Sequence, residues 1–569
     1  MAAALADAER TFLHELAGAF GRRERTLLDC LHAIQDKWGF LPRAAMDEFG
    51  FEARLAKEQV FSAARFYSNF RFEPGPEVEV VVCETLSCHL AGAARVEERA
   101  KAIADAYGGK GPQRWEARGA PCLGLCELAP AMLVAGRACS AAGGVEPAIA
   151  AARGPAPATR HEGLAAYRAA GGLALLERAR REPGWAAREV KASGLRGMGG
   201  AGFPAGSKWE FVQRAQGEPK YVVLNADEGE PGTFKDRWLL ETAPHRVIEG
   251  LLVAMAEVAS TRGLIYLREE YGLARAVLQQ SLAELEEAGV IGPPPTATGD
   301  GGLPSLQLVV GAGSYVCGEE TAMLESIEGK RGEPRLKPPY PAQFGLWGKP
   351  TLIHNVETMA WVPRILAEGG AAWKARGKGG AAGMKLLSVS GHVNKPCVVE
   401  VPMGTTFREV FAEHCGGFPG GGEPKAFVPG GLASGLLPAS KLDVPVDFDA
   451  LAKEGSMLGS GGVVAIPPGA CIVALAENGL AFFAHESCGK CTPCRVGTEK
   501  LLHLVRAIRQ GKARRGDLDP LDELCEAMAA ASICGLGQTA MNPLTHGLKW
   551  FRPEFDAHLA GRCLVGACG

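Results

Sequence analysis

The 569 residues are too many for one hydrophobic core, so three or four domains are expected. Hydrophobic residues at 47% and charged residues at 22% are an ordinary globular balance, and a formal charge of −3 supplies no basic field for nucleic acid. No uncharged apolar run approaches the ~18 residues of a membrane span, and the opening residues 1–7 lack the basic and apolar regions of a secretory signal. The 17 cysteines then point to metal or redox ligation in the cytoplasm, not to a disulfide scaffold.

Residues 1–75 read as a helical region: residues 26–34 repeat their apolar positions at three- and four-residue spacing. A strand at residues 78–83 opens a second unit, 76–140, which continues through a helical stretch to Tyr107 and into cysteine-bearing loops. Residues 141–162 are rich in Ala, Gly and Pro and read as a linker between two units able to fold separately. Over 163–384, strands at 221–224, 263–266 and 306–310 alternate with helical segments, the pattern of an α/β layered domain. Residues 385–470 carry short strands and many turns and read as a small β-rich domain, and 471–569 are helical. There is no internal repeat.

Four groups of residues carry chemistry. Cys488-Gly-Lys-Cys491-Thr-Pro-Cys494, closed by the distant Cys534, offers four thiolates to a [4Fe–4S] cube. Cys83 and Cys88, then Cys122 and Cys126, form two pairs that suit a [2Fe–2S] rhomb. For both sets a four-cysteine zinc site is the alternative. The remaining nine cysteines, Cys30, Cys139, Cys317, Cys471 and Cys525 among them, read as buried small hydrophobes. The third group is the loop Gly194-Leu-Arg-Gly197-Met-Gly199-Gly-Ala-Gly202-Phe-Pro204, followed by Lys208. It contains G-x-G-x-x-G but follows a helical segment, so it fails the context of an ordinary dinucleotide fingerprint. Its amides could meet a phosphate or a planar cofactor, and a plain turn serves the pattern equally. The fourth group is two acidic clusters after strands, Asn225-Ala-Asp227-Glu228-Gly-Glu230 and Gly311 to Glu320. These carboxylates could accept hydrogen bonds from ribose or ribityl hydroxyls, or they could cap helices.

The ordered runs Gly197 to Pro204, Asn225 to Asp236, Tyr315 to Glu320, Arg335 to Pro339 and Glu486 to Arg495 resemble the FMN-containing, NADH-oxidising subunit of respiratory complex I and its soluble relatives. The first 140 residues, with Ala64-Arg-Phe-Tyr67 and the two cysteine pairs, resemble the thioredoxin-like [2Fe–2S] subunit of the same module, here fused. The resemblance implies a multidomain α/β chain. Its parts would be N-terminal helices, a thioredoxin-like domain, a Rossmann-like FMN/NAD domain, a β-grasp (SLBB) domain and a C-terminal helical bundle.

The resemblance also implies roles. Gly197, Gly199, Gly200 and Gly202 would form the flavin loop, with Lys208, Asn225 and Asp227 holding FMN. Glu228 and Glu230, Tyr315, Gly318, Glu319 and Glu320 would line the flavin and nicotinamide cleft, with Lys337 and Tyr340 nearby. Asn355 and Thr358 would complete the flavin site. Met198 stands where the family often has Arg, and His354 where it often has a second Asn. The tail Cys563-Leu-Val-Gly-Ala-Cys568 resembles a motif that precedes a ferredoxin-like extension in bifurcating hydrogenases and is read as non-ligating.

The implied chemistry is a hydride passed between the nicotinamide and FMN, and single electrons passed on to the [4Fe–4S] cluster. The fusion and the Ser532-Ile-Cys-Gly-Leu-Gly537 run look most like the β subunit of soluble NAD-dependent formate dehydrogenases of the molybdenum or tungsten type. The partner would then be the catalytic iron–sulfur α subunit. An NAD-reducing [NiFe] hydrogenase comes second and complex I third. A zinc-stabilised docking scaffold is the non-enzymatic alternative.

Overall fold

The structure, a computed structural model, describes residues 5–108, 114–154, 161–293 and 302–568. Residues 155–160 of the expected linker lie outside the described residues.

The first sheet joins β1 (Val78–Cys83), β2 (Trp115–Ala120), β3 (Ala131–Val134) and β4 (Arg137–Ser140) in the order β2-β1-β3-β4. β1 runs parallel to β2 and antiparallel to β3. Val80 and Val82 face a core that also holds Val145, Ala148 and Ile149. Those three lie on the helix Val145–Ala152, so this part of the expected linker is helical and packs under the sheet. Alanine explains the misreading: it is common in loops by composition, yet it is the best helix former.

The second sheet is parallel throughout, with β5 (Tyr221–Ala226), β6 (Arg262–Leu267), β7 (Ser305–Val310) and β8 (Thr351–Asn355) in the order β7-β6-β5-β8. Parallel strands with apolar residues on both sides need cover on both faces. On one face Val222, Leu224 and Ile265 pack against the helices Pro244–Glu257 and Val356–Glu368. On the other, Tyr221, Val223, Leu264, Tyr266 and Val309 share a core with Leu27, Leu31, Phe49 and Tyr67 of the N-terminal helices. Polar contacts fix that packing: Tyr67 donates to Ser326 Oγ at 2.8 Å, and His32 Nε2 bonds the Gly311 carbonyl at 2.8 Å. The N-terminal helices are therefore part of the α/β domain's core. The expectation of two units that fold separately fails at this face.

A third, mixed sheet follows: β9 (Met384–Gly391), β10 (Cys397–Pro402), β11 (Ala426–Val428), β12 (Leu437–Pro438) and β13 (Gly462–Ile466), in the order β10-β9-β13-β11-β12. Only β9 and β13 pair in parallel. The helices Ile472–Glu486, Thr492–Arg509, Leu521–Ala531, Asn542–Trp550 and Arg552–Leu559 then pack around Phe483, Leu501, Val505 and Phe555. No helix among the described residues is long and apolar enough to cross a membrane.

Candidate functional site

In the parallel sheet the chain leaves β5 for β6 on one side, while β8 flanks β5 on the other. A crevice opens at such a switch point, beyond the carboxyl ends of the strands. Asn225 and Asp227 lie at the end of β5, Asn355 at the end of β8, and the loop after β7 brings Tyr315 to Glu320. The glycine loop closes the crevice. Its backbone is held by Thr358, whose hydroxyl accepts from Met198 N–H at 2.9 Å. A Cβ on Gly199 would press to 3.0 Å from Asn355 Cβ, and Gly200, at φ 139°, opens onto empty space. Both positions therefore demand glycine.

Asn225 clamps two loops. Its amide donates to the Gly318 carbonyl at 2.8 Å, and its oxygen accepts from Asp227 N–H at 3.1 Å. Asp227 Oδ2 is buried without a protein partner, and burial raises this carboxyl to about 8. A Cβ on Gly318 would stand 3.1 Å from the Asp227 carbonyl oxygen and 3.8 Å from Oδ2. An orphaned buried carboxyl, a cradle that a side chain would fill and a bare glycine loop together fit a flat polar cofactor. These residues fit FMN.

Asn355 caps the helix Val356–Glu368, accepting from Glu357 N–H at 3.0 Å, and it donates to Asp236 Oδ2 at 2.6 Å. Lys208 donates to Glu320 Oε2 at 2.8 Å and to the Ile353 carbonyl at 3.4 Å. Lys337 pairs with Glu319 at 2.8 Å and lies 3.6 Å from Glu320. Glu319 also caps the helix Glu320–Ile327 through Thr321 and Ala322 N–H, each at 2.9 Å. Capping and ion pairing thus coexist on adjacent carboxylates. Tyr340, three residues beyond Lys337, stands 55% exposed.

The two departures from the expected motif are now explained. Met198 is buried in the core, and His354 is a buried acceptor for Trp209 Nε1–H at 2.9 Å. Burial, then the Lys208 charge, hold His354 well below its ordinary pKa. Both side chains are buried.

Glu228 and Glu230, two residues apart, are held differently. Both Glu228 oxygens are occupied, accepting from Asp236 N–H at 2.8 Å, Arg237 N–H at 3.0 Å and Tyr271 O–H at 2.9 Å. These bonds make it an anchor at the start of the helix Lys235–Thr242. Glu230 does reach the crevice wall. It accepts from Tyr315 O–H at 2.5 Å and from Ala433 N–H at 2.7 Å, and burial raises it to about 7. Sequence reasoning missed a buried ionic cluster behind the crevice. Lys235 pairs with Asp236 at 2.7 Å and with Glu357 at 3.0 Å, and Lys385 pairs with Glu357 too. The available signal was Lys385 opening an apolar strand.

Both cysteine sets adjoin residues of this crevice. Cys488, Cys491, Cys494 and Cys534 line one cavity with Val316 and Pro334, directly behind Tyr315. Glu486, just before that loop, accepts from Tyr315 N–H at 2.9 Å. Burial raises Cys494 to about 11 and Cys534 to about 12, so these thiols ionise only on meeting a metal. Cys83, Cys88, Cys122 and Cys126 are likewise buried together. Arg268 donates to the Cys122 carbonyl at 2.9 Å and Arg237 to the Gly124 carbonyl at 3.2 Å, docking that loop on the segment that follows Asp227. Three cysteines given no ligand role converge as well: Cys471, Cys563 and Cys568 meet at His558. The reading of the tail as non-ligating did not foresee this, because the fold brings the tail back over the start of a distant helix.

Fold and site define an NADH-oxidising subunit of the diaphorase type, with FMN, [4Fe–4S] and [2Fe–2S] domains. Residues 190–364 match the Nuo51 FMN-binding domain, 474–558 the NADH-ubiquinone oxidoreductase-F iron-sulfur binding region, 13–144 the thioredoxin-like [2Fe-2S] ferredoxin and 386–430 the SLBB domain. A NADH-quinone oxidoreductase subunit of Rhizobium meliloti is 47% identical over 401 residues, 70% of this chain and 95% of that protein. The NADP-reducing hydrogenase subunit HndC of Solidesulfovibrio fructosivorans is 43% identical over 380 residues, 67% of this chain and 77% of that one. A crystal structure of an NAD+-reducing [NiFe]-hydrogenase in the air-oxidized state superposes with a TM-score of 0.82 at 32% identity, covering 94% of both chains. The chain belongs to the family of NADH-quinone oxidoreductase subunits built on the Nuo51 FMN-binding domain.

Proposed function

We propose that this chain is the diaphorase subunit of a multisubunit oxidoreductase, exchanging electrons between NAD(H) and the iron–sulfur centres of a partner. One observation carries the reading: a crevice with an orphaned carboxyl and a bare glycine loop adjoins two sets of four cysteines, one sharing a cavity with Val316 and the other tied through Arg268 to the Glu228 carbonyl. When bound, FMN exchanges a hydride with nicotinamide and single electrons with the clusters. The protein's own work is placement. Gly197, Gly199, Gly200 and Gly202 let backbone approach the cofactor, Asn225 and Thr358 hold the loops around it, and Asp227 offers it a buried oxygen. Glu319, Glu320, Lys208 and Lys337 form the polar wall that receives the dinucleotide, with Tyr340 at its rim. Glu230 and Tyr315 share a proton between the crevice and the [4Fe–4S] cavity.

For the electron source we propose formate, oxidised on a molybdenum or tungsten partner subunit. The fusion and the Ser532 to Gly537 run support this reading. A nickel–iron hydrogenase partner is the second reading, favoured by the match along 94% of a chain from such an enzyme. Metal analysis of the native complex separates them. Molybdenum or tungsten together with formate-dependent NAD+ reduction upholds the first reading; nickel together with hydrogen-dependent reduction overturns it in favour of the second.

A further inference from the structure

Outside the crevice and the two cysteine sets, four more metal-type ligands come together. Cys471 is the residue before the helix Ile472–Glu486, His558 lies on the last helix, Arg552–Leu559, and Cys563 and Cys568 lie in the tail beyond it. Their ligand atoms all lie within 4.8 Å of one another, and Cys471 Sγ stands 3.2 Å from His558 Nε2. Cys471 and His558 are 5% and 2% exposed, so the pocket is closed on its inner side.

We propose that Cys471, His558, Cys563 and Cys568 bind one zinc ion, which pins the tail to the start of the helix that leads into the Cys488 loop.

The chemistry of the donors sets the ion. Three thiolates and one imidazole are a structural zinc set. Bonds of about 2.3 Å to sulfur and about 2.0 Å to nitrogen place tetrahedral ligands roughly 3.5–3.8 Å apart, within the compactness seen here. An iron–sulfur cluster spreads its cysteines wider, because several irons stand between them. The four sulfurs of Cys488, Cys491, Cys494 and Cys534 do not form such a compact group, whereas these four ligands do.

The surroundings orient the donors. His558 Nδ1 lies 3.2 Å from the Arg509 carbonyl oxygen, which can only accept, so Nδ1 carries the hydrogen and Nε2 presents a lone pair to the site. An outer hydrogen bond of this kind is how a ligating histidine is commonly held. Backbone N–H groups of Val565, Ala567 and Cys568 point at Cys563 Sγ, and Gly566 at φ 67° makes the turn between the two tail cysteines. Binding replaces three S–H bonds with three zinc–sulfur bonds and releases three protons, leaving a site of net charge −1. With four protein ligands no open position remains, so the ion is structural and takes no part in electron transfer.

The test uses the full chain, purified without chelator, with zinc and iron measured together. One zinc per chain is expected in addition to the cluster iron, and its X-ray absorption should show three sulfur neighbours and one nitrogen. Four sulfur neighbours would place the zinc in an iron–sulfur site instead and overturn the proposal. In Cys563→Ser/Cys568→Ser, zinc should fall to background while iron and flavin content hold; zinc retained at one per chain would overturn it. Chain produced with cobalt in place of zinc needs no variant. Sulfur-to-cobalt charge transfer and intense tetrahedral bands are expected, and their absence, or a disulfide among Cys471, Cys563 and Cys568 in the freshly isolated protein, would count against the site.

Discussion

Glu230 carries the residue-scale chemistry at the crevice wall. Its carboxyl ionises near pH 4.3 in an unfolded chain, but burial raises it to about 7 in the fold. Below about pH 4 it is protonated in both states, and its contribution to stability is fully present. As pH rises, the unfolded chain ionises first, so that contribution shrinks and is lost as pH passes about 7. The non-titrating Glu230→Gln should therefore lose melting temperature relative to the parent at pH 5, with the gap closing by pH 8. A constant gap in thermal scans would remove the buried proton from the account. Glu320 behaves differently, because Lys208 at 2.8 Å and Lys337 at 3.6 Å already partner it. Glu320→Ala removes a carboxylate that would repel a 2′-phosphate and frees two cations to meet one. The ratio of kcat/KM for NADPH over NADH should rise by roughly tenfold to a hundredfold, equivalent to about 1–3 kcal/mol. Ferricyanide reduction measures it without a partner subunit. The grouping of Cys488, Cys491 and Cys494 was legible from their spacing, and the fold brings the distant Cys534 to the same cavity. The occupancy of Glu228 was not, because its partners Arg237 N–H and Tyr271 are set by how a loop folds back on a helix.

At the scale of elements, the helix Val356–Glu368 is tied to β9 through Glu357. That carboxylate is fully buried; it accepts from Leu386 N–H at 2.8 Å and pairs with Lys235 and Lys385. Removing one partner of a buried ionic group strands the others, which costs about 3–5 kcal/mol. Glu357→Gln should lower the chemical-denaturation midpoint accordingly, although the residue lies behind the crevice. A shift within the scatter of surface variants would contradict the packing described here. The parallel strands were legible as apolar runs between turns, since a strand buried on both faces reads that way. The ionic cluster was not, because Lys235, Glu357 and Lys385 are far apart in sequence and each alone reads as a surface charge. Cys491→Ser tests another element, the loop between the helices Ile472–Glu486 and Thr492–Arg509. Rapid mixing with NADH should still bleach the flavin, while electron delivery to the partner drops to background.

Across the whole molecule, the N-terminal helices and the flavin-domain sheet share one core. Tyr221, Val223, Leu264, Tyr266 and Val309 on the flavin-domain sheet are covered by residues from the first 75. Deleting residues 1–75 should expose that face, lower expression of folded protein and increase binding of a hydrophobic dye; an equally stable truncated chain would refute the shared core. This arrangement was hidden from the sequence, where an alanine-rich stretch suggested separable halves and no local pattern says which face a helix will cover. On the proposed function, the crevice passes electrons from NADH to the clusters that adjoin it. The most direct test of this is anaerobic reduction of the purified full chain by NADH, followed by flavin absorbance and low-temperature electron paramagnetic resonance, with iron content measured alongside. One FMN and about six iron atoms per chain are expected, four and two, with flavin bleaching accompanied by a reduced-cluster signal. Flavin that bleaches while no cluster signal appears at any NADH concentration, or cysteine sets filled with zinc and no iron, would contradict it.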